Sequence, residues 1–346
     1  MHRYFTFVLG LAIILPLAQE SSVAQAQITN TTAGKQTYTP PRTGDGRPDL
    51  QGVWANNNAT PLQRPKVLEG RAFLTPEEVT ALKAKASELF NGQSDAAFGD
   101  MVYETVFANV KGNKKGFTQE DGVGGYESLW MVQRDWDNRT SLITDPSDGR
   151  FPPLTPAAQK IAAADAAANQ AERTGHGSPA AGPEDRPLGE RCITSGSPHM
   201  GAGYNSYFQI AQSPNSVAVL AEMMHDVRMI PLDGNPHPPS NVQLWLGDSR
   251  GHWEGDTLVV DTTNYLPGVF RKFSTEKLHV IEKFTRTADD VIQWEITIDD
   301  PGAWIKPWTA MIPLRRSKDP IFEYACHEDN YGLYNILAGA RAEEKH

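Results

Sequence analysis

Cysteine is nearly absent from this chain of 346 residues, which contains only Cys192 and Cys326. No CxxC spacing exists, so the commonest cysteine-based zinc and redox motifs are excluded. In an oxidising compartment two cysteines imply one disulfide closing a long loop; otherwise they are two buried thiols. Long apolar runs are scarce as well, and after Tyr4–Leu17 no stretch approaches the roughly 18 apolar residues of a transmembrane helix. Clustered positive charge is missing: 32 Lys and Arg stand against 42 Asp and Glu, a formal charge of −10, which argues against nucleic acid as a partner. GxGxxG, GxxxxGK[ST] and HExxH are all absent, so no nucleotide or zinc-protease signature is readable. Ser195 and Ser197, near Cys192, sit in no diagnostic motif, and no cofactor is implied.

The N-terminus reads as an address. His2 and Arg3 precede the apolar run, and Ala24-Gln25-Ala26 before Gln27 has the small-residue pattern of a secretory cleavage site. Residues 1–26 are therefore expected to be a signal peptide, leaving a periplasmic or secreted protein with no stable membrane anchor. About 320 residues remain, enough for one large or two small domains.

From 27 to 190 the texture is mixed, and the expectation is a strand, helices and loops packed on the domain that follows. Tyr38–Asp49 is extended and rich in Pro and Gly, and Leu50–Trp54 reads as a short strand. Thr75-Pro76-Glu77-Glu78 is a capping box that opens a helix to about Phe90, and Thr155-Pro156 opens an alanine-rich helix to about Glu172. Asp121–Gly125 reads as a glycine-rich loop, Trp130–Thr144 as one or two strands, and Thr174–Glu190 as an exposed linker.

From 191 to 346 the pattern is β. Strands are expected at Tyr204–Gln212, Ser216–Leu232, Val242–Ser249, Leu258–Thr263, Leu278–Thr287, Val291–Asp299, Ala303–Pro313 and Ile321–His327. Short turns and no intervening helices predict a mainly β fold, an antiparallel barrel-like domain whose interior has room for one small ligand.

Several of these strands carry ionisable residues where a plain core would have none, and buried charge is costly unless paired. Alternation places Glu222, Met224, Asp226 and Arg228 on one face, with His225 on the other. On the later strand Leu278, Val280, Glu282, Phe284 and Arg286 share a face whose apolar members point inward. Glu282 and Arg286 are thus expected as a cavity pair, or else as a structural ion pair. His225 and His327, whose side-chain type titrates near neutrality, are the proton-transfer candidates, with Asp226 to orient an imidazole. Tyr204, Arg228, Trp294, Tyr324 and Glu328 are the expected substrate contacts. A metal would need His225, His327 and a carboxylate drawn from different strands; none is expected.

Gly52-Val53-Trp54 and Gly251-His252-Trp253 resemble the Gly-x-Trp strand of lipocalin-like proteins. Pro48–Trp54, Ile230–Gly234, Gly247–Val260 and Glu323–Glu328 resemble segments of a family of uncharacterised secreted bacterial proteins, a resemblance that covers nearly the whole mature chain and implies export but no activity. The residues themselves lead to a cofactor-independent lyase, isomerase or hydrolase using His and Glu on a small cyclic or apolar molecule. The alternatives are a lipocalin-like binding protein without turnover and a metal-dependent enzyme.

Overall fold

The computed structural model of the chain describes residues 38–89, 106–112, 134–173, 180–328 and 330–344. The expected signal peptide and the Asp121–Gly125 loop lie outside the described residues, as do the first four residues of Trp130–Thr144 and the start of the Thr174–Glu190 linker. No helix among the described residues is long and apolar enough to cross a membrane.

Ten strands form one antiparallel sheet: β1 (Gly52–Ala55), β2 (Ile143–Asp145), β3 (Tyr207–Gln212), β4 (Ser216–Ala221), β5 (Val227–Pro231), β6 (Asp248–Glu254), β7 (Thr257–Thr263), β8 (His279–Ala288), β9 (Val291–Asp299) and β10 (Trp308–Arg316). Nine follow one another in the order β5-β4-β3-β1-β10-β9-β8-β7-β6, and β2 pairs with β10 off that path. The path curls into a nearly closed barrel, the mainly β fold that the strand spacing predicts. Its two end strands meet through side chains rather than through a ladder. A Cβ on Gly251 of β6 would lie 2.7 Å from both Ile230 and Leu232, so the seam closes there because the residue has none.

Period-2 alternation builds the interior. Along β8 the buried residues are Val280, Glu282, Phe284 and Arg286, and along β9 Ile292, Trp294, Ile296 and Ile298 alternate as buried residues after a buried Val291. Register pairs Glu282 with Ile296 and Phe284 with Trp294, whose rings stack at 5.6 Å between centroids. A smaller cluster of Leu68, Leu74, Leu82, Phe107 and Trp136 lies outside this core.

Helix α1 (Pro76–Leu89) starts as its capping box predicts: Glu78 N–H donates to Thr75 Oγ1 at 3.2 Å, and Thr75 N–H donates to Glu78 Oε2 at 3.0 Å. Helix α2 (Pro156–Arg173) opens at Thr155, whose hydroxyl accepts from Ala158 N–H at 3.2 Å. Cys192 and Cys326 form the expected disulfide, with Cα atoms 5.7 Å apart.

Strand β1, from the segment 27–190, is hydrogen-bonded between β3 and β10, and Tyr38–His346 form one compact unit. Three strand expectations change. The expected strand Ser216–Leu232 is a hairpin, because Met224 and His225 adopt positive φ (59° and 45°) and turn the chain. Of Val242–Ser249 only the last two residues are strand. Ile321–His327 is irregular and leads to helix α3 (Tyr331–Glu343), capped by Asn330, whose side chain accepts from Leu333 N–H at 3.2 Å.

Candidate functional site

Glu282 is completely buried, and its partner is Arg228 rather than Arg286. The two form a bidentate pair: Arg228 Nη2 donates to Oε1 at 2.9 Å and Nη1 donates to Oε2. Trp294 Nε1–H donates to Oε1 at 3.0 Å. This trio occupies the barrel interior, and every polar atom so named is answered within it. Arg286 shares the inward face, but its guanidinium lies 5.6 Å from the Trp54 ring and donates to the carbonyls of Asp49 and Asp289 at 2.8 and 2.7 Å. The expected Glu282–Arg286 cavity pair is therefore corrected to an Arg228–Glu282 structural pair, since β5 and β8 both aim these side chains at the barrel axis.

The other expected catalytic residues do not join it. His225 stands exposed on the β4–β5 turn and donates from Nδ1 to the Tyr324 carbonyl at 3.2 Å. His327 and Glu328 are exposed on the turn after Cys326, away from the buried Glu282. Asp226 accepts from Thr194 Oγ1 at 2.6 Å, and burial raises its carboxyl against that bond. Tyr204 and Tyr324 are half-buried in loops. Trp294 is a core residue, although with Arg228 and Asp226 it lines a cavity of about 20 Å³, enough for roughly one water. His279 belongs elsewhere, 2.9 Å from Asp261 Oδ1 through Nε2, and His237 reaches the same oxygen at 3.2 Å. No group of three His, Cys, Asp or Glu that could hold a metal occurs among the described residues.

A larger concavity lies above the small cavity. Its volume is about 430 Å³, and its walls include Asn58, Leu62, Arg134, Ser195, His199, Met200, Phe270 and Arg271, with no carboxylate among the lining residues. Gly196 and His199 line both spaces, so the imidazole stands between groove and barrel interior.

Local backbone explains how these side chains fit. The His199 ring lies against Gly201, where a Cβ would be 3.1 Å from Cε1. Arg134 packs on Gly203, whose φ of +95° favours glycine and whose Cβ would fall 2.3 Å from the guanidinium carbon. Asn56 holds this loop by donating from Nδ2 to the carbonyls of Met200 and Gly201 at 3.1 and 2.9 Å.

The electrostatics of the groove are one-sided. Arg134 makes one long bond, from Nη1 to the Asn58 carbonyl at 3.4 Å, while its Nε and Nη2 are buried with no acceptor among the described residues. Its neighbour Asp135 is turned away and paired with Arg315 at 2.9 Å. Burial lowers the Arg134 guanidinium to about 10, still charged at neutral pH. Arg271 adds a second cation, held over the rings of Phe151 and Phe270 at 5.9 and 5.8 Å. His199 is lowered by burial to about 4 and is neutral at pH 7. Its Nδ1 is 3.3 Å from Ser195 Oγ, and its Nε2 has no partner among the described residues.

Arg134, His199, Asn58 and Arg271 were not among the residues expected from sequence. The one local hint is the small-residue run around His199, Ser197-Pro198-His199-Met200-Gly201-Ala202-Gly203. Comparison with family models, curated proteins and solved structures returns no match to this chain.

Proposed function

We propose that the protein binds a small, partly apolar organic anion in the Arg134–His199 groove. The observation that carries this reading is Arg134, a cation whose Nε and Nη2 are buried and unanswered among the described residues. An unpaired buried charge is costly, and a carboxylate is the ligand whose geometry answers a guanidinium fork. Supporting it, Phe270, Met200 and Leu62 supply an apolar wall, and the lining carries no acid to repel an anion. The volume of about 430 Å³ suits a small ligand. The His225/Glu282/His327 acid–base centre is not carried forward, because its members are exposed or already paired.

Isothermal titration with benzoate tests the reading. Replacing Arg134 by Gln should weaken binding roughly 10- to 100-fold, the worth of a charge-assisted hydrogen bond of about 1.5–3 kcal/mol. The same variant should melt no lower than the parent, since it removes an unpaired buried charge. Benzoate binding that is indifferent to R134Q, or a neutral amide bound as tightly as benzoate, would overturn the reading.

We also infer that the chain works outside the cytoplasm, in the periplasm or beyond. The Cys192–Cys326 bridge supports an oxidising compartment, and the leader-like N-terminus supports export. Exported protein should begin at Gln27; cytoplasmic protein retaining residues 1–26 would argue the contrary.

A further inference from the structure

We propose that Ser195 is a nucleophile, with His199 as its general base, for hydrolysis of carboxylic esters whose acyl part carries a second carboxylate. The inference rests on the anion-binding reading of the groove for its substrate class but not for its chemistry. Three features meet in one cavity wall: an exposed serine hydroxyl, an imidazole nitrogen 3.3 Å from it, and a cation with free donors. The spacing is slightly longer than a productive bond, and such contacts tighten when substrate enters. Burial keeps the imidazole neutral at neutral pH and so able to accept a proton. With Nε2 carrying the ring hydrogen, Nδ1 presents its lone pair to the hydroxyl.

The step balances without any added reactant except water. Ser195 Oγ attacks the ester carbonyl carbon and passes its proton to His199 Nδ1. As the tetrahedral intermediate collapses, the carbon–alkoxide bond breaks and the imidazolium returns that proton to the leaving alcohol. Water then attacks the acyl-serine, giving one proton to His199; the Oγ–carbon bond breaks, Oγ recovers that proton, and a carboxylic acid leaves. Arg134 holds the distal carboxylate in place throughout. Among the described residues no carboxylate answers Nε2, so the pair is a dyad, and a slow second step is expected because the imidazolium lacks an anionic orienter.

The test uses the mature, disulfide-bonded chain with mono-4-nitrophenyl succinate and, for comparison, 4-nitrophenyl acetate. The expected result is a burst of nitrophenolate near one equivalent and a succinyl adduct on the peptide containing Ser195. Ser195→Ala should remove the adduct and lower kcat by roughly 100-fold or more with KM little changed. His199→Gln should slow the burst, and the acid limb of the parent's rate should fall as pH drops through about 4. An adduct on another residue, or undiminished turnover in Ser195→Ala, overturns the proposal. So does benzoate binding that depends on Arg134 in a protein that never acylates, an outcome that leaves the binding reading intact. Acylation of Ser195 that is equally fast with acetate, and indifferent to R134Q, upholds the nucleophile and removes the anion specificity instead.

Discussion

At the scale of single residues, the molecule treats Arg228 and Arg134 in opposite ways. Arg228 is fully answered by Glu282, which also accepts from Trp294. Cutting Glu282 back to Ala would strand the guanidinium, at a cost of about 3–5 kcal/mol in urea unfolding. Replacing both partners by Leu should cost little or even stabilise, because two desolvation penalties vanish together. A double variant as damaged as the single one would refute the structural role. Among the described residues Arg134 has no such partner, and that contrast, not burial as such, separates site from scaffold. His199 makes a further prediction through linkage. Its folded value of about 4 lies below the unfolded value near 6.5, so the unfolded chain binds a proton that the folded chain refuses. The His199 contribution is complete above pH 6.5 and declines as pH falls towards 4, by at most about 3 kcal/mol at ~1.4 kcal/mol per unit. Comparing unfolding at pH 7 and 4.5 for parent and His199→Gln checks this; equal pH dependence in the two proteins would count against it.

At the scale of elements, strands β5 and β6 define how the barrel shuts. They pack through Ile230, Leu232 and Gly251, with glycine's missing side chain setting the distance. Gly251→Val should therefore wedge the seam and cost roughly 1–3 kcal/mol, in the manner of an overpacked core. Gly44→Ala, whose Cβ would meet nothing within 4 Å, should leave the melting temperature unchanged and serves as the control. A valine variant as stable as that control would mean that the seam has slack. Element grammar also shows which sequence signals were reliable. Capping at Thr75 and Thr155 is local and read correctly. The Met224–His225 turn was unreadable, because Met rarely takes positive φ and no Gly, Pro or Asn marks the position.

At the scale of the whole molecule, the Cys192–Cys326 bridge spans a sequence separation of 134 residues and ties the segment before Ser195 to the approach to α3. A loop of that length implies a stabilisation of about 2–5 kcal/mol. Unfolding under reducing conditions, or of Cys192→Ser with Cys326→Ser, should show that loss, and thiol titration of the unfolded, unreduced parent should find no free thiol. Two reactive thiols would refute the bridge, whereas unchanged stability would mean that the reduced chain is already restrained.

Period-2 patterning, turn residues and helix caps are properties of neighbouring residues, and they were sufficient for the mainly β class, the strands β7, β8 and β9, and both helix starts. The inward face of β8 was legible for the same reason, since Leu278, Val280 and Phe284 betray which side Glu282 and Arg286 share. Pairing across the sheet was not legible. Nothing near Glu282 in sequence indicates that Arg228, 54 positions away, will be its partner, and alternation alone favoured Arg286. Insertion of β1 between β3 and β10 likewise depends on non-local ladders. The groove was hidden most completely, because the lack of an acceptor for Arg134 is a property of everything folded around it. Only the tertiary structure decided which charges are satisfied, and sequence spacing carries no record of that.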